Sequence, residues 1–276
     1  MLTSSFNKLI LMNLIKSFFE PLRIISRRNM VFLMIAEIVL ALLAWQLSGG
    51  GLIPTPVKVL KALGGIASAP DFIDNLFASL SLTIKGMAIS IVIALVISYL
   101  AMIPFFHPIA RFVVKCRYLT LTGLIFLFTL WTQNGHQLKV SLLIFGIVPF
   151  FVTSLLAEFE SINLQEFELC TTLRMNSWKT WLEVVVRGRL DQVFEVMRQN
   201  FAIAWLMITS VEGLSMSEGG LGVMLIKANK YVQLEAVFGT LVIIFILGVL
   251  FDYILGKMRQ WLFPYTNPFK PASNVK

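Results

Sequence analysis

Apolar residues in this chain gather into long runs, and the longest polar interruption between them is itself patterned. Six stretches approach the roughly twenty residues that about 30 Å of hydrocarbon requires: 30–48, 83–104, 119–133, 138–157, 198–216 and 236–257. Each predicts a membrane-spanning helix, the third being short. Residues 158–199 break the pattern with Glu158, Glu160, Glu166, Glu168, Arg174, Lys179, Glu183, Arg187, Arg189, Asp191, Glu195 and Arg198. Apolar side chains are interleaved at helical spacing from Phe167 to Met197, so the island reads as helical. A segment this charged cannot stay in lipid. It must form a surface of about forty residues, suited to docking a soluble partner.

Two other segments have their own character. Residues 49–82 are too polar to cross again and are broken by Gly49–Gly51, Pro54, Pro56 and Pro70; they predict external helices at 57–66 and 71–80. Residues 6–19 alternate polar and apolar faces at helical period, which predicts an interfacial helix held by Lys8 and Lys16. The first clearly apolar span begins only near Met30 with no small-residue cleavage pattern after it, so no cleavable signal peptide is expected. No repeat of 20–50 residues is visible, which excludes a solenoid.

Composition settles the class. With 57% hydrophobic and 14% charged residues among 276, and a mean hydropathy of +0.81, the chain exceeds what a soluble core can hide. The expected fold class is all-α, a polytopic helical membrane protein of six spans. The formal charge of +8 could suggest nucleic acid, but its lysines and arginines sit beside apolar spans, as on the cytoplasmic side of membrane proteins. Seventeen of the 23 basic residues fall in 1–29, 105–118, 158–199 and 257–276. Lys58, Lys61, Lys85, Lys139, Lys227 and Lys230 remain outside or at the outer boundary. The bias puts both termini and the island in the cytoplasm. Cys116 and Cys170 then lie in a reducing compartment, and with no ligand-spaced Cys or His beside them neither a disulfide nor a zinc site is expected.

Chemistry-bearing side chains are sparse. His107 and His136 lie in loops without useful neighbours and read as solvated. Ser90, Ser98, Thr209 and Ser210 suit close helix packing. Lys85 and Asp252 lie near opposite membrane boundaries, where snorkelling explains them; for an anionic solute, Lys85 is the best entrance charge. Glu212, near the outer end of the fifth span, either lines a solute path or gate or braces the loop after it. Gly219-Gly220-Leu221-Gly222 suggests a tight external turn. No phosphate-cradling glycine loop followed by Lys-Ser or Lys-Thr is present.

Several stretches in order resemble a known family. Ile53-Pro54-Thr55-Pro56 with Val57, Val59 and Ala62-Leu63, Ser79-Leu80 with Gly86, Trp131, Arg198, Phe201, Ala202, Ala204-Trp205, Glu212 and Gly220-Leu221-Gly222 are similar to the permease subunit of binding-protein-dependent ABC importers, the branch serving nitrate, sulfonates and taurine. The resemblance covers about residues 30–265, leaving 1–29 as a cytoplasmic N-terminal segment and 266–276 as a tail. It implies that residues 158–199 are the family's ATPase-coupling loop, with Glu168-Leu169-Cys170 at the Glu-Ala-Ala position and Leu173, Arg174, Met175 and Trp178 following. It implies Glu212 and Trp205 on the translocation path or gate, to which Lys85 is added for its charge and position, and Gly220, Leu221 and Gly222 in the external contact loop.

The implied partners are ATP-binding cassette ATPase subunits, a second permease copy or paralogue, a solute-binding protein and membrane lipid, with no nucleic acid. ATP and Mg belong to the partner ATPase and no cofactor to this chain, which is not expected to be an enzyme. The implied location is the bacterial cytoplasmic membrane. Three positions depart from the pattern: the arginine usual after Ser79-Leu80 is Leu82, the glycine between the island's helices is Arg174, and a proline about thirteen residues later is Arg187. Arginine adopts a left-handed turn only at roughly 1 kcal/mol or more, so that turn should be strained or remodelled, and without the proline the second helix can run on. An ATP-independent carrier or channel is the alternative, though no broken half-helices or repeat symmetry point to it.

Overall fold

The computed structural model describes residues 27–48 and 53–266. The expected interfacial helix at 6–19, the Gly49–Gly51 turn and the tail beyond 266 lie outside the described residues. The chain divides into two compact units, residues 1–59 and 60–276. In the first, helix α1 (Arg27–Ser48) is a continuous apolar segment, and Trp45 Nε1 donates to the Pro54 carbonyl at 3.1 Å. Pro54 and Pro56 set up the start of helix α2 (Pro56–Ala67), a proline at the first helical position where its missing N–H costs nothing.

The second unit is built on two long helices, α3 (Phe72–Leu100) and α6 (Gly135–Glu160), packed along each other. The α3 sequence explains the pairing. Ser79, Thr83, Gly86, Ser90, Ala94 and Ser98 recur every three or four residues and are all buried, giving a stripe of small side chains that lets backbones approach. A Cβ on Gly86 would collide with Leu143 of α6. Between α3 and α6 come helix α4 (His107–Lys115), a short 3-10 turn at Cys116–Tyr118, and helix α5 (Leu121–Trp131).

After α6 the island forms helix α7 (Leu164–Thr172), helix α8 (Ser177–Thr180) and a π-helical stretch, Trp181–Arg187. Helices α9 (Leu190–Leu214), α10 (Leu221–Lys230) and α11 (Leu234–Leu262) complete the unit. Among the described residues every regular element is helical. One buried apolar cluster, including Ala94, Phe151, Leu155 and Phe159, continues into Cys170, Val184 and Val185 of the island. A second, including Leu82, Leu143, Trp205 and Ile208, joins α3, α6 and α9 at the other end.

The all-α, multi-pass architecture is as expected, but the six spans are not matched element for element. Among the described residues four helices are long and apolar enough to cross a membrane alone, within Arg28–Leu47, Phe72–Leu100, Gly135–Glu160 and Leu234–Leu262. The stretch 119–133 holds only the eleven-residue α5, about 16 Å long at 1.5 Å per residue. It reaches the required length only together with His107–Tyr118, across a 112° bend. Residues 71–80 form no separate external helix; they are the opening turns of α3, where Asn75 and Ser79 bond the backbone of Gly220 and Leu221 and nothing ends the helix. Residues 107–118 are helical where a loop was expected. The fifth stretch begins earlier, at Leu190. It carries Arg198, Gln199, Asn200 and Glu212, which keep it out of the purely apolar set.

Candidate functional site

At the N-terminal ends of α3 and α6 the chain builds a polar clasp from four separate segments. Glu212, in the last turn of α9, is 1% exposed and Lys139, one turn into α6, is 2% exposed. Such groups persist in an interior only with partners. Ser79 Oγ donates to Glu212 Oε1 at 2.6 Å, and the Gly222 N–H donates to Glu212 Oε2 at 2.8 Å. Ser79 Oγ in turn accepts from the Leu221 N–H at 2.8 Å. Asn75 Oδ1 accepts from the Gly220 N–H at 2.7 Å, and Lys139 Nζ donates to the Gly219 carbonyl at 3.3 Å. The four residues Gly219–Gly222 are thus held by α3, α6 and α9 together.

Backbone geometry explains the glycines. Gly219 and Gly220 have φ of 74° and 123°, which residues with a Cβ rarely adopt. A Cβ at Gly220 would also overlap the Glu212 carboxyl group. These bonds tie the N-terminus of α10, with its unpaired N–H groups, to a carboxylate, the arrangement that a helix start favours.

Lys139, Glu212, His136 and Glu218 share a cavity of about 80 Å³. His136 Nδ1 lies 3.0 Å from Glu218 Oε2, so this histidine has the acidic neighbour that its sequence context hides. His136 also borders a second cavity, of about 290 Å³, lined by Lys85, Ile89, Gln137, Val140 and Ser141. Lys85 is exposed there, one cavity away from Glu212.

Sequence reasoning singled out Glu212, Gly220, Leu221 and Gly222, and the structure brings these four together. It missed Lys139, Asn75 and Ser79 as partners. A lysine inside an apolar helix was the available signal for Lys139. Trp205 stands elsewhere: it is buried in the packing, donates from Nε1 to the Ile244 carbonyl at 2.9 Å, and lies against Phe201 and Phe251. It joins α9 to α11.

The island lies at the opposite end. Ser79 and Tyr99 are twenty residues apart on α3, about 30 Å at 1.5 Å per residue. Asn163 opens α7 by accepting the Gln165 N–H at 3.1 Å, an N-cap of the usual kind. The helix closes in a Schellman turn: Met175 N–H donates to Cys170 O at 3.0 Å and Arg174 N–H to Thr171 O at 2.9 Å. Arg174 occupies the left-handed position with φ of 55°. The turn expected of glycine is therefore retained and carried by arginine.

Cys170 and Met175 fix the turn from below by packing into the first apolar cluster. The missing proline has the effect foreseen: the chain stays helical through Arg187 as a π stretch, with Gly188 N–H donating to Glu183 O at 2.8 Å. It breaks only at Gly188–Arg189. Arg189 then pairs with Glu166 of α7 at 2.5 Å.

Leu169 and Trp178 are 61% and 64% exposed, and Glu168, Leu173 and Arg174 are exposed beside them. The site residues of the island therefore divide into an exposed group and two that pack inward, buried Cys170 and half-buried Met175. Aromatic rings connect the two levels. Trp178 meets Trp181 edge-on at 6.0 Å, Trp181 meets Tyr99 at 6.0 Å, and Tyr99 stacks on Phe159 at 5.4 Å. An exposed ring is thereby joined to the ends of both long helices.

Behind the island, Arg198 bridges Glu195 at 2.6 Å and Asp252 at 2.8 Å, and Arg259 reaches Glu195 at 2.8 Å. Asp252 is paired, where its sequence position suggested only a solvated boundary charge.

A bundle of apolar helices with a polar clasp at one end and an exposed apolar platform at the other defines a multi-pass membrane transport subunit. The family of binding-protein-dependent transport system inner membrane components matches residues 61–263, and the chain belongs to it: it is a permease subunit of an importer-type ABC transporter. It is 22% identical over 250 residues to the putative aliphatic sulfonates transport permease protein SsuC of Bacillus subtilis (strain 168), covering 86% of this chain and 88% of that protein. It is also 22% identical over 226 residues to a probable ABC transporter permease protein of Brucella melitensis, covering 78% and 89%. The fold is shared with a crystal structure of an amino acid ABC transporter with histidines, at a TM-score of 0.62, 16% identity, and coverage of 72% of this chain and 97% of that one.

Proposed function

We propose that this permease imports a small anion of the sulfonate type and is driven by a separate ATPase gripping residues 158–199. The observation that carries this reading is the aromatic series Trp178–Trp181–Tyr99–Phe159, which joins exposed knobs to both long helices. Two ATPases closing on ATP and Mg would draw two such platforms together and tilt the spans as rigid bodies. Rim ion pairs at such a surface are worth about 0–1 kcal/mol each, so Leu169, Leu173 and Trp178 dominate the docking and Glu168 and Arg174 tune it. Cys170 and Met175 hold the platform's turn in shape.

The positive bias of 1–29, 105–118, 158–199 and 257–276 places both termini and the island on the cytoplasmic side of the bacterial inner membrane. The Gly219–Gly222 clasp then faces outward, where a solute-binding protein delivers its load, with a second permease copy or paralogue completing the path. Lys85, exposed beside the cavity it shares with His136, puts a cation at the outer opening, where it attracts an anion. The named sulfonate relative agrees with that sign.

The test is uptake of a radiolabelled alkanesulfonate into vesicles carrying this chain with its ATPase and binding protein, with taurine and nitrate as competitors. Uptake should need ATP on the side of the ATPase. Uptake that persists without the ATPase refutes the coupling, and preference for a cationic solute refutes the assigned substrate class.

A further inference from the structure

We infer that the elbow formed by α4 and α5 binds one anionic phospholipid, its acyl chain in an apolar cavity and its headgroup on Arg111, Lys115 and Arg117. The cavity measures about 460 Å³, is open on one side, and is lined from four elements, including Ile97 of α3, Phe112 of α4, Phe128 of α5 and Ile144 and Pro149 of α6. Its size falls within the roughly 300–1,000 Å³ of pockets that enclose small ligands. The 112° bend between His107–Tyr118 and α5 keeps it from closing.

An apolar hollow at membrane depth offers water no partners, so a hydrocarbon chain fills it better. Hydrocarbon alone confers no choice among lipids, because all tails are equally apolar. The choice comes from charge. Phe112 and Cys116 stand one turn apart on the lining face. Arg111 and Lys115 each precede one of them, 100° round the helix, and Arg117 follows directly. The cations therefore flank the lining stripe on both sides.

Arg111 and Lys115 are exposed, and the Arg117 guanidinium lies 5.0 Å from the centre of the Tyr118 ring. No aspartate or glutamate occurs between Asp74 and Glu158 in the sequence, so no neighbouring segment within that range brings a competing carboxylate. A basic pocket between apolar helices attracts an anionic headgroup. The inference rests on the membrane placement of the chain and is independent of its solute and of its ATPase.

The test is native mass spectrometry of the full chain, purified in mild detergent and offered equal amounts of phosphatidylglycerol and phosphatidylcholine with identical tails. One phosphatidylglycerol should be retained per chain, preferred about tenfold or more. The variant R111Q/K115Q/R117Q alters only side chains outside the buried core and should reduce the preference to near one. S141W, at a residue that lines this cavity as well as the one beside Lys85, fills it and should abolish retention. Equal retention of both lipids by the unaltered chain, or an undiminished preference in the triple variant, overturns the inference. So does efficient linking of Cys116 between two copies in membranes by a short bifunctional thiol reagent, since protein would then cover the groove. An unaltered chain that keeps the lipid preference but imports no sulfonate with its ATPase and binding protein counts against the transport reading and leaves this one standing.

Discussion

Replacing Glu212 with alanine removes the acceptor for Ser79 Oγ and for the Gly222 N–H and takes the carboxylate from beside the buried Lys139. Interhelical hydrogen bonds within membranes average about 0.6 kcal/mol and reach about 1.7, so the two bonds alone account for about 1–3 kcal/mol. Removing one member of a buried charged pair costs about 3–5 kcal/mol, because the other charge is left without compensation. The second effect should win: Lys139 would keep the Gly219 carbonyl, at 3.3 Å, and Glu218 across the same cavity, neither of which replaces the buried carboxylate. We predict a loss of about 3–5 kcal/mol for Glu212→Ala and about 1–2 kcal/mol for Glu212→Gln, whose amide oxygen still accepts a bond. At roughly 2–4 °C per kcal/mol for a chain of this size, Glu212→Ala should melt about 10 °C lower in detergent. Adding Lys139→Met should restore about 1–3 kcal/mol, the signature of coupled neighbours. A cost below about 1 kcal/mol for Glu212→Ala, or the same cost with and without Lys139→Met, would refute the clasp as a charge-compensated unit.

Three other predictions follow from the geometry. Arg174→Gly should keep both Schellman bonds, relieve a left-handed strain of roughly 1 kcal/mol and lose about 0.5–1 kcal/mol to unfolded-state entropy, whereas Arg174→Val should destabilise by about 1 kcal/mol; thermal melting that ranks Val above Gly contradicts the assigned turn. Trp181→Ala breaks both ring contacts at 6.0 Å, each worth about 0.5–1.5 kcal/mol. ATP hydrolysis by the assembled transporter should continue while sulfonate uptake falls, with rescue by Trp181→Phe; parallel loss of both activities would show that the rings stabilise without coupling. Lys85→Gln should raise the KM for an anionic solute while leaving the melting temperature unchanged, and unaltered uptake kinetics would remove Lys85 from the solute path.

The island was the most legible part of the fold because its charges cannot enter lipid, and Arg174 could be placed at a left-handed turn because the family pattern has glycine there. Glu212 was legible only as either a path residue or a brace for the loop after it, and the family resemblance drew attention to Gly220–Gly222; their contact settles on the brace. Lys139 was not: a lysine one turn into an apolar run looks the same whether it snorkels to water or turns inward, and only the approach of Gly219 distinguishes the two. The polar residues Asn75 and Ser79 blurred the start of α3, since their bonds to α9 and to the turn before α10 reach partners more than a hundred residues away. The bend after Tyr118 was hidden for a similar reason. Composition showed a short apolar stretch that was read as a span of its own, and tertiary packing against α6 decided how it folded.

The central claim is that a separate ATPase works this permease through the exposed platform. A single cysteine at position 169, Leu169→Cys, in a background where Cys116 and Cys170 are replaced by serine, tests it by cross-linking in membranes that contain the whole transporter. The account predicts a specific product with the ATPase subunit whose yield changes when ATP is bound, and no modification of the cysteine by a membrane-impermeant thiol reagent added from outside. Absence of any ATPase product in a transporter that still imports its solute, or labelling of position 169 from outside, would contradict it.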